Sequence, residues 1–324
     1  MKCCGVYTFV RRFGRPYKRN RLNNKYYYKE AYIYMKKITA ILLSAAMLVP
    51  MAACSAQQPE SGKEAEGGKT AESSNTSVSS KADENRETVF QVALLQSLTQ
   101  GYYDGIIKVS ELKQHGDTGI GTFEGVNGEM IVLDGKVYQA LGDGSVKEAD
   151  DNETVPFSNV TFFDKDLSAT LPKMENINSL KETLTKTVNE NGKNLFYMVK
   201  INGTFQKMFV RSELKQEKPY KTLDKALATD QREFNYENIA GTVVALYCPD
   251  YMGGLNTPGW HFHFISDDKT KGGHILELAF DSAQAEFDST QDFDMYLSDN
   301  SDFQKMELAK DVSSAIKKVE TNEE

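Results

Sequence analysis

Between residues 119 and 144, three short apolar runs, GIGTFEG, GEMIVLDG and KVYQALGDG, are punctuated by Asn127-Gly128, Asp134-Gly135 and Asp143-Gly144. Asx-Gly pairs adopt the positive φ angles of tight hairpin turns at little steric cost. The runs between them therefore read as strands of an antiparallel meander. The rest of the chain continues in that style. VPFSNVTFFD, GTVVALYCPD, GWHFHFIS and GHILELAFD read as strands, and NLFYMVKINGTFQKMFVRSEL as a hairpin turning at Asn202-Gly203. Asn202-Gly203-Thr204 is also a glycosylation sequon, but the turn reading is preferred.

Helical signals are fewer. Thr88 precedes VFQVALLQSLTQ, apolar at helical spacing and stopped by Gly101. Ser110 is placed to cap a short helix, ELKQH, closed by Gly116. Residues 178–190 are amphipathic, TLDKALATD is a short helix, and DFQKMELAKDVSSAIKKVE is mixed with a helical end. These features predict an α+β fold on mostly antiparallel sheet, built as two packed lobes with a few flanking helices. No fixed-period repeat and no glycine-rich phosphate loop is present.

The N-terminal quarter has another character. Residues 1–34 are basic and tyrosine-rich and read as an upstream extension outside the mature protein. At Met35 a short positive start leads into the apolar run ITAILLSAAMLVPMAA, the layout of an export signal, ending at Cys54. Met51-Ala52-Ala53-Cys54 resembles a bacterial lipoprotein cleavage box, which makes Cys54 the expected lipid-bearing residue. An uncleaved membrane anchor is the alternative. Residues 55–87 hold no aromatic residue and almost nothing apolar, so they cannot offset the entropy of ordering and read as a flexible tether. The folded part is then 88–324, on an exported chain anchored at the extracytoplasmic face or secreted.

Beyond Cys54 the chain keeps 27 basic and 45 acidic residues, a net charge of −18. That argues against nucleic acid as a partner, since phosphates demand a basic surface. Cys248 is the only cysteine left in the folded part, so no disulfide framework exists there and stability rests on packing or metal.

The chain has 4 histidines, and three of them, His261, His263 and His274, fall in WHFHFISDDKTKGGH. Side chains alternate across a strand, so His261 and His263 share a face while Phe262 and Phe264 turn to a core. A hairpin through SDDKTKGG brings His274 beside His263, where opposed Cβ atoms lie about 5 Å apart. Three imidazoles then converge from two strands, a donor set that suits zinc with its fourth position open. On these residues alone, three half-exposed polar histidines are an equal alternative. A cupin is the weaker one, because Asp267 or Asp268 stands where its glutamate belongs.

With LLQSLTQGYYDG, SELKQHGDTGIGTFEGVNGEMIVLDGKVYQ, VPFSNVTFF, KQEKPYKTL and GWHFHFISDDKTKGGHILE, the chain resembles the bacterial alpha-acetolactate decarboxylases from about Val89 to its C-terminus. The resemblance implies decarboxylation of 2-acetolactate to acetoin and CO2 on zinc held by His261, His263 and His274. It also implies site roles for Thr122, Glu129, Arg211 and, in the tail, Glu320, and it makes a homodimer plausible. Read alone, each of these four has an ordinary explanation: strand former, turn acid, strand-end charge, frayed end.

The implied chemistry suits the residue types. Loss of CO2 leaves two electrons that need a sink, and zinc can stabilise the resulting enediolate. Arg211 offers a fixed cationic fork for a carboxylate, and Glu129 and Glu320 are candidates for holding the hydroxyl and managing the proton. The alternative function is a non-catalytic zinc-binding surface lipoprotein of the same fold.

Overall fold

The computed structural model describes residues 86–309 and Ile316. The extension, the export signal, nearly all of the tether, and Val312, Val319 and Glu320 lie outside the described residues. In chain order the elements are β1 (Thr88–Val92), α1 (Leu95–Thr99), β2 (Ile107–Lys108), α2 (Val109–Leu112), β3 (Thr118–Thr122), β4 (Glu129–Leu133) and β5 (Lys136–Ala140). Then come β6 (Val146–Glu148), β7 (Thr154–Val155), β8 (Phe157–Thr161), β9 (Leu167–Leu171), α3 (Ile177–Asn191) and β10 (Phe196–Glu213). The described chain continues with α4 (Leu223–Asp230), β11 (Gln231–Cys248), β12 (Gly259–Ser266), β13 (Gly272–Ala279), β14 (Ala283–Thr290), β15 (Asp292–Tyr296) and α5 (Ser301–Gln304).

The expected α+β architecture is present as two large sheets and a small β2–β7 pair. One has 7 strands in the order β15-β1-β8-β3-β4-β5-β6, and the other 6 in the order β11-β12-β13-β10-β14-β9. An added pairing of β10 with β11 closes β10, β11, β12 and β13 on themselves. The β1–β15 pair is parallel, so the first sheet is mixed. Val89, Ile120 and Ile131 of the first sheet meet Met198, Val244 and Ile265 of the second in one apolar cluster. The far side of the second sheet, with Phe262 and Phe264, is covered by Leu180, Leu184 and Val188 of α3. Asn176 caps α3, accepting from Ser179 N at 2.9 Å.

Only Asp134-Gly135 among the Asx-Gly pairs makes a two-residue hairpin, with φ of 51° and 77°. Asn202-Gly203 makes no turn. β10 runs straight through it, because Gly203 faces Gly241 on one side and Ala283 on the other. A Cβ at Gly203 would stand 3.0 Å from that of Ala283, so the glycine allows close strand approach rather than reversal. The long N-terminal helix is also absent. Val89–Val92 are buried in a strand between β15 and β8, the chain bends at Ala93 (φ 54°), and only Leu95–Thr99 is helical. Partners on both sides of β1 outweigh an apolar spacing that suited a helix. Nor does Ser110 cap a helix: it lies inside α2, whose N-cap is Lys108.

Asp288 gives the fold a pH dependence. It is 1% exposed and its Oδ2 has no hydrogen-bond partner. Burial, then the nearby Asp166, Glu87 and Asp164 carboxylates, push it up to about 7, against the pull of an Asp164 backbone hydrogen bond. Since the folded value exceeds the unfolded one near 3.9, the folded state holds the extra proton, and stability falls as pH rises toward 7. Asp288→Asn should therefore raise the unfolding temperature at pH 8 by several degrees, with the gain vanishing near pH 4. Thermal unfolding at both pH values checks it; an equal shift at both would remove the carboxyl's charge as the cause.

Candidate metal centre

The three histidines meet between the sheets. His263 stands directly opposite His274 in the β12–β13 register. His261 is two residues along on the same face. His261 Nε2 lies 3.1 Å from His263 Nε2 and 3.0 Å from His274 Nδ1. One Nε2 carries a single hydrogen or a single lone pair, so it cannot make a full hydrogen bond to both neighbours. A single ion among the three resolves that conflict. Three nitrogens held at 2.0–2.1 Å around a tetrahedral ion would lie about 3.3 Å apart, close to the two spacings from His261, and all three nitrogens lie within 4.8 Å of one another. The donor set fits zinc.

The nitrogens are also prepared chemically. His263 Nδ1 donates to the Met130 carbonyl at 2.8 Å, which leaves Nε2 as the ligand atom. Burial, with smaller contributions from Arg211 and Lys181, pushes His261 down to about 3. Burial and then His261 hold His263 well below the usual histidine range. Both rings are therefore neutral, the form that binds metal.

A β-bulge sets the next residue. Between Phe209/Val210 and β13 the register shifts, so Arg211 pairs with His274. If Leu276 were paired rather than bulged out, Arg211 would oppose Ile275, which belongs to the core behind the sheet. Gly273 permits the close approach: a Cβ there would lie 2.5 Å from the Arg211 carbonyl oxygen. Arg211, His274 and His263 thus form one row across three strands.

The opposite wall comes from the first sheet, where β4 packs across β12 and β13. Glu129 Oε2 lies 3.3 Å from His263 Nε2. Thr122 opposes Glu129 in the β3–β4 register, and its Oγ1 donates to the Gly128 carbonyl at 2.8 Å. Thr122, Glu129, Arg211, His261 and His274 line one pocket together with Glu213. Its other wall is apolar: Leu95, Leu98, Val126, Phe157, Leu223 and Leu227. The space between these walls is narrow and open to solvent at its mouth.

Six of the seven expected site residues are thereby brought together, and Glu320 lies outside the described residues. Glu213 and the apolar wall were not anticipated. For Glu213 a signal existed, since it stands two residues after Arg211 on a strand and so shares its face.

The family model of alpha-acetolactate decarboxylase matches residues 89–310. A curated alpha-acetolactate decarboxylase of Methanosarcina mazei is 41% identical over 234 residues, 72% of this chain and 80% of that protein. One from Brevibacillus brevis is 36% identical over 236 residues, 73% and 82% of the two chains. The crystal structure of alpha-acetolactate decarboxylase from Bacillus subtilis superposes with a TM-score of 0.69 at 31% identity, covering 72% of this chain and 99% of that one.

Proposed function

The chain belongs to the alpha-acetolactate decarboxylase family and is a carboxy-lyase acting on acetolactate, and from that premise we propose that it forms acetoin and CO2 with a zinc ion held by His261, His263 and His274. The observation that carries this reading is the convergence of three ring nitrogens beside Glu129 and Arg211 in a single pocket. When bound, zinc supplies a Lewis acid that draws electron density from the ketone as CO2 departs.

The chain's own groups do the rest. The Arg211 guanidinium, 3% exposed, offers a charged planar fork to the substrate carboxylate or to the oxygen that gains charge. Glu129 Oε2 accepts the substrate hydroxyl's hydrogen, and Thr122 Oγ1 supports the same wall. Leu95, Leu98 and Phe157 shed water around the methyl groups. Acetoin measured after adding 2-acetolactate to the zinc-loaded protein tests the reading. Absence of acetoin with one zinc bound would favour the non-catalytic zinc-binding lipoprotein.

We extend the proposal to the tail. Ile316 is buried with Leu95, Leu98 and Leu223 of the pocket wall, which supports a tail directed at the site and Glu320 as its acid–base group. Truncation after Val319 should lower turnover by about 10²–10⁴-fold with zinc retained, whereas truncation after Glu320 should be nearly harmless. Equal behaviour of the two would dismiss Glu320.

Export and lipid attachment at Cys54 are likewise proposed. Cys54→Ser should move the protein from the membrane to the soluble fraction with catalysis unchanged, and continued membrane retention would indicate an uncleaved anchor.

A further inference from the structure

The end of β10 puts two opposite charges on the pocket face, and the roles given so far use only one of them. Arg211 and Glu213 are two residues apart, so strand alternation turns both inward. They are 3% and 5% exposed. Glu213 Oε1 lies 3.6 Å from Arg211 Nε, an ion-pair distance longer than a hydrogen bond. Arg211 Nη1 donates to Gln231 Oε1 at 3.3 Å, and Gln231, which opposes Glu213 across β10–β11, donates from Nε2 to Glu233 Oε1 at 2.8 Å. The guanidinium is thus held at two of its nitrogens.

The pocket's charge leads to the same residue. Among the described residues lining it, the charged groups are Glu129, Glu213 and Arg211, a formal sum of −1. Glu213 is the carboxylate that shares the inward face of β10 with the Arg211 fork, in a poorly solvated space where charge interactions are strong. A pair serving only to tie β10 to β11 would not need to line the pocket.

We propose that Glu213 is a positioning residue for the decarboxylation: its carboxylate orients the Arg211 fork toward the substrate. This rests on the reading of the site as a zinc-dependent decarboxylase. A misaimed fork lowers the rate of the chemical step. A more positive pocket binds the substrate anion at least as well. The two effects separate kcat from KM, which a purely structural role would not do.

The test is steady-state acetoin formation by zinc-loaded wild type, Glu213→Gln, Glu213→Asp, Arg211→Lys and the Glu213→Gln/Arg211→Lys double variant, with bound zinc and near-UV circular dichroism recorded for each. Glu213→Gln should keep its fold and zinc, lose about tenfold or more in kcat, and show an unchanged or lower KM. Glu213→Asp, which keeps the charge, should recover part of kcat. In the Arg211→Lys background, where no fork remains to be aimed, Glu213→Gln should cost much less than in wild type. Wild-type kcat in Glu213→Gln, an equal cost in both backgrounds, or a rate loss that comes only with loss of the folded spectrum would each overturn the proposal. No turnover by wild type would instead overturn the functional reading itself, so the two failures are told apart.

Discussion

His263→Ala should strip the protein of zinc and lower acetoin formation by about 10³-fold or more. The size follows from Lewis-acid catalysis, which contributes several kcal/mol, with 1.36 kcal/mol to each factor of ten. His263 is the member of the triad with least slack. It is 0% exposed, and its Nε2 lies 3.1 Å from His261 Nε2 and 3.3 Å from Glu129 Oε2. Its Nδ1 is committed to Met130 O at 2.8 Å. Alanine removes one of three ligands and leaves that carbonyl without its donor, a stability cost of about 1–3 kcal/mol. Zinc per chain by elemental analysis, alongside circular dichroism, separates lost metal from lost fold. A folded His263→Ala protein with full zinc and full activity would show that the zinc sits elsewhere.

Arg211→Lys should retain zinc and lose about 10²–10³-fold in kcat, the size associated with removing one aimed donor of a charge-stabilising site. Lysine keeps the positive charge, so bulk attraction for the anionic substrate survives. What it loses is the planar arrangement that meets a carboxylate with two parallel bonds. The β-bulge opposite Val210 fixes the backbone of this residue in register with His274, so the shorter reach of the ammonium cannot be made up by sliding the strand. Near-native turnover by Arg211→Lys, measured under saturating substrate, would reduce Arg211 to a source of charge.

The histidine site was legible because it uses the simplest rule of strands. Alternation put His261 and His263 on one face and sent Phe262 and Phe264 to the core, and both outcomes are seen. The polar turn after Ser266 set the register that places His274 opposite His263. Arg211 and Glu129 were not legible in that way. Each reaches the site through long-range packing, Arg211 by a bulge in β13 and Glu129 by β4 crossing β12 and β13. For them the family resemblance supplied what local pattern could not. Misread elements have a common cause too. Asn202-Gly203 carries a turn signal, but an 18-residue strand paired on both sides overrides it. Apolar spacing after Thr88 suggested a helix, yet neighbouring strands claimed Thr88–Val92. In both places pairing partners distant in sequence decided what a short window left open.

The central claim is that this carboxy-lyase works through one zinc ion on His261, His263 and His274. The most direct measurement is a reconstitution titration: the purified protein is stripped with a chelator, zinc is returned in steps, and the rate of acetoin formation from 2-acetolactate is followed. The account predicts negligible rate in the stripped protein and a linear rise that breaks at one zinc per chain, absent from a His261, His263, His274 triple alanine variant. Undiminished acetoin formation by the stripped protein, or the same titration curve from the triple variant, would contradict it.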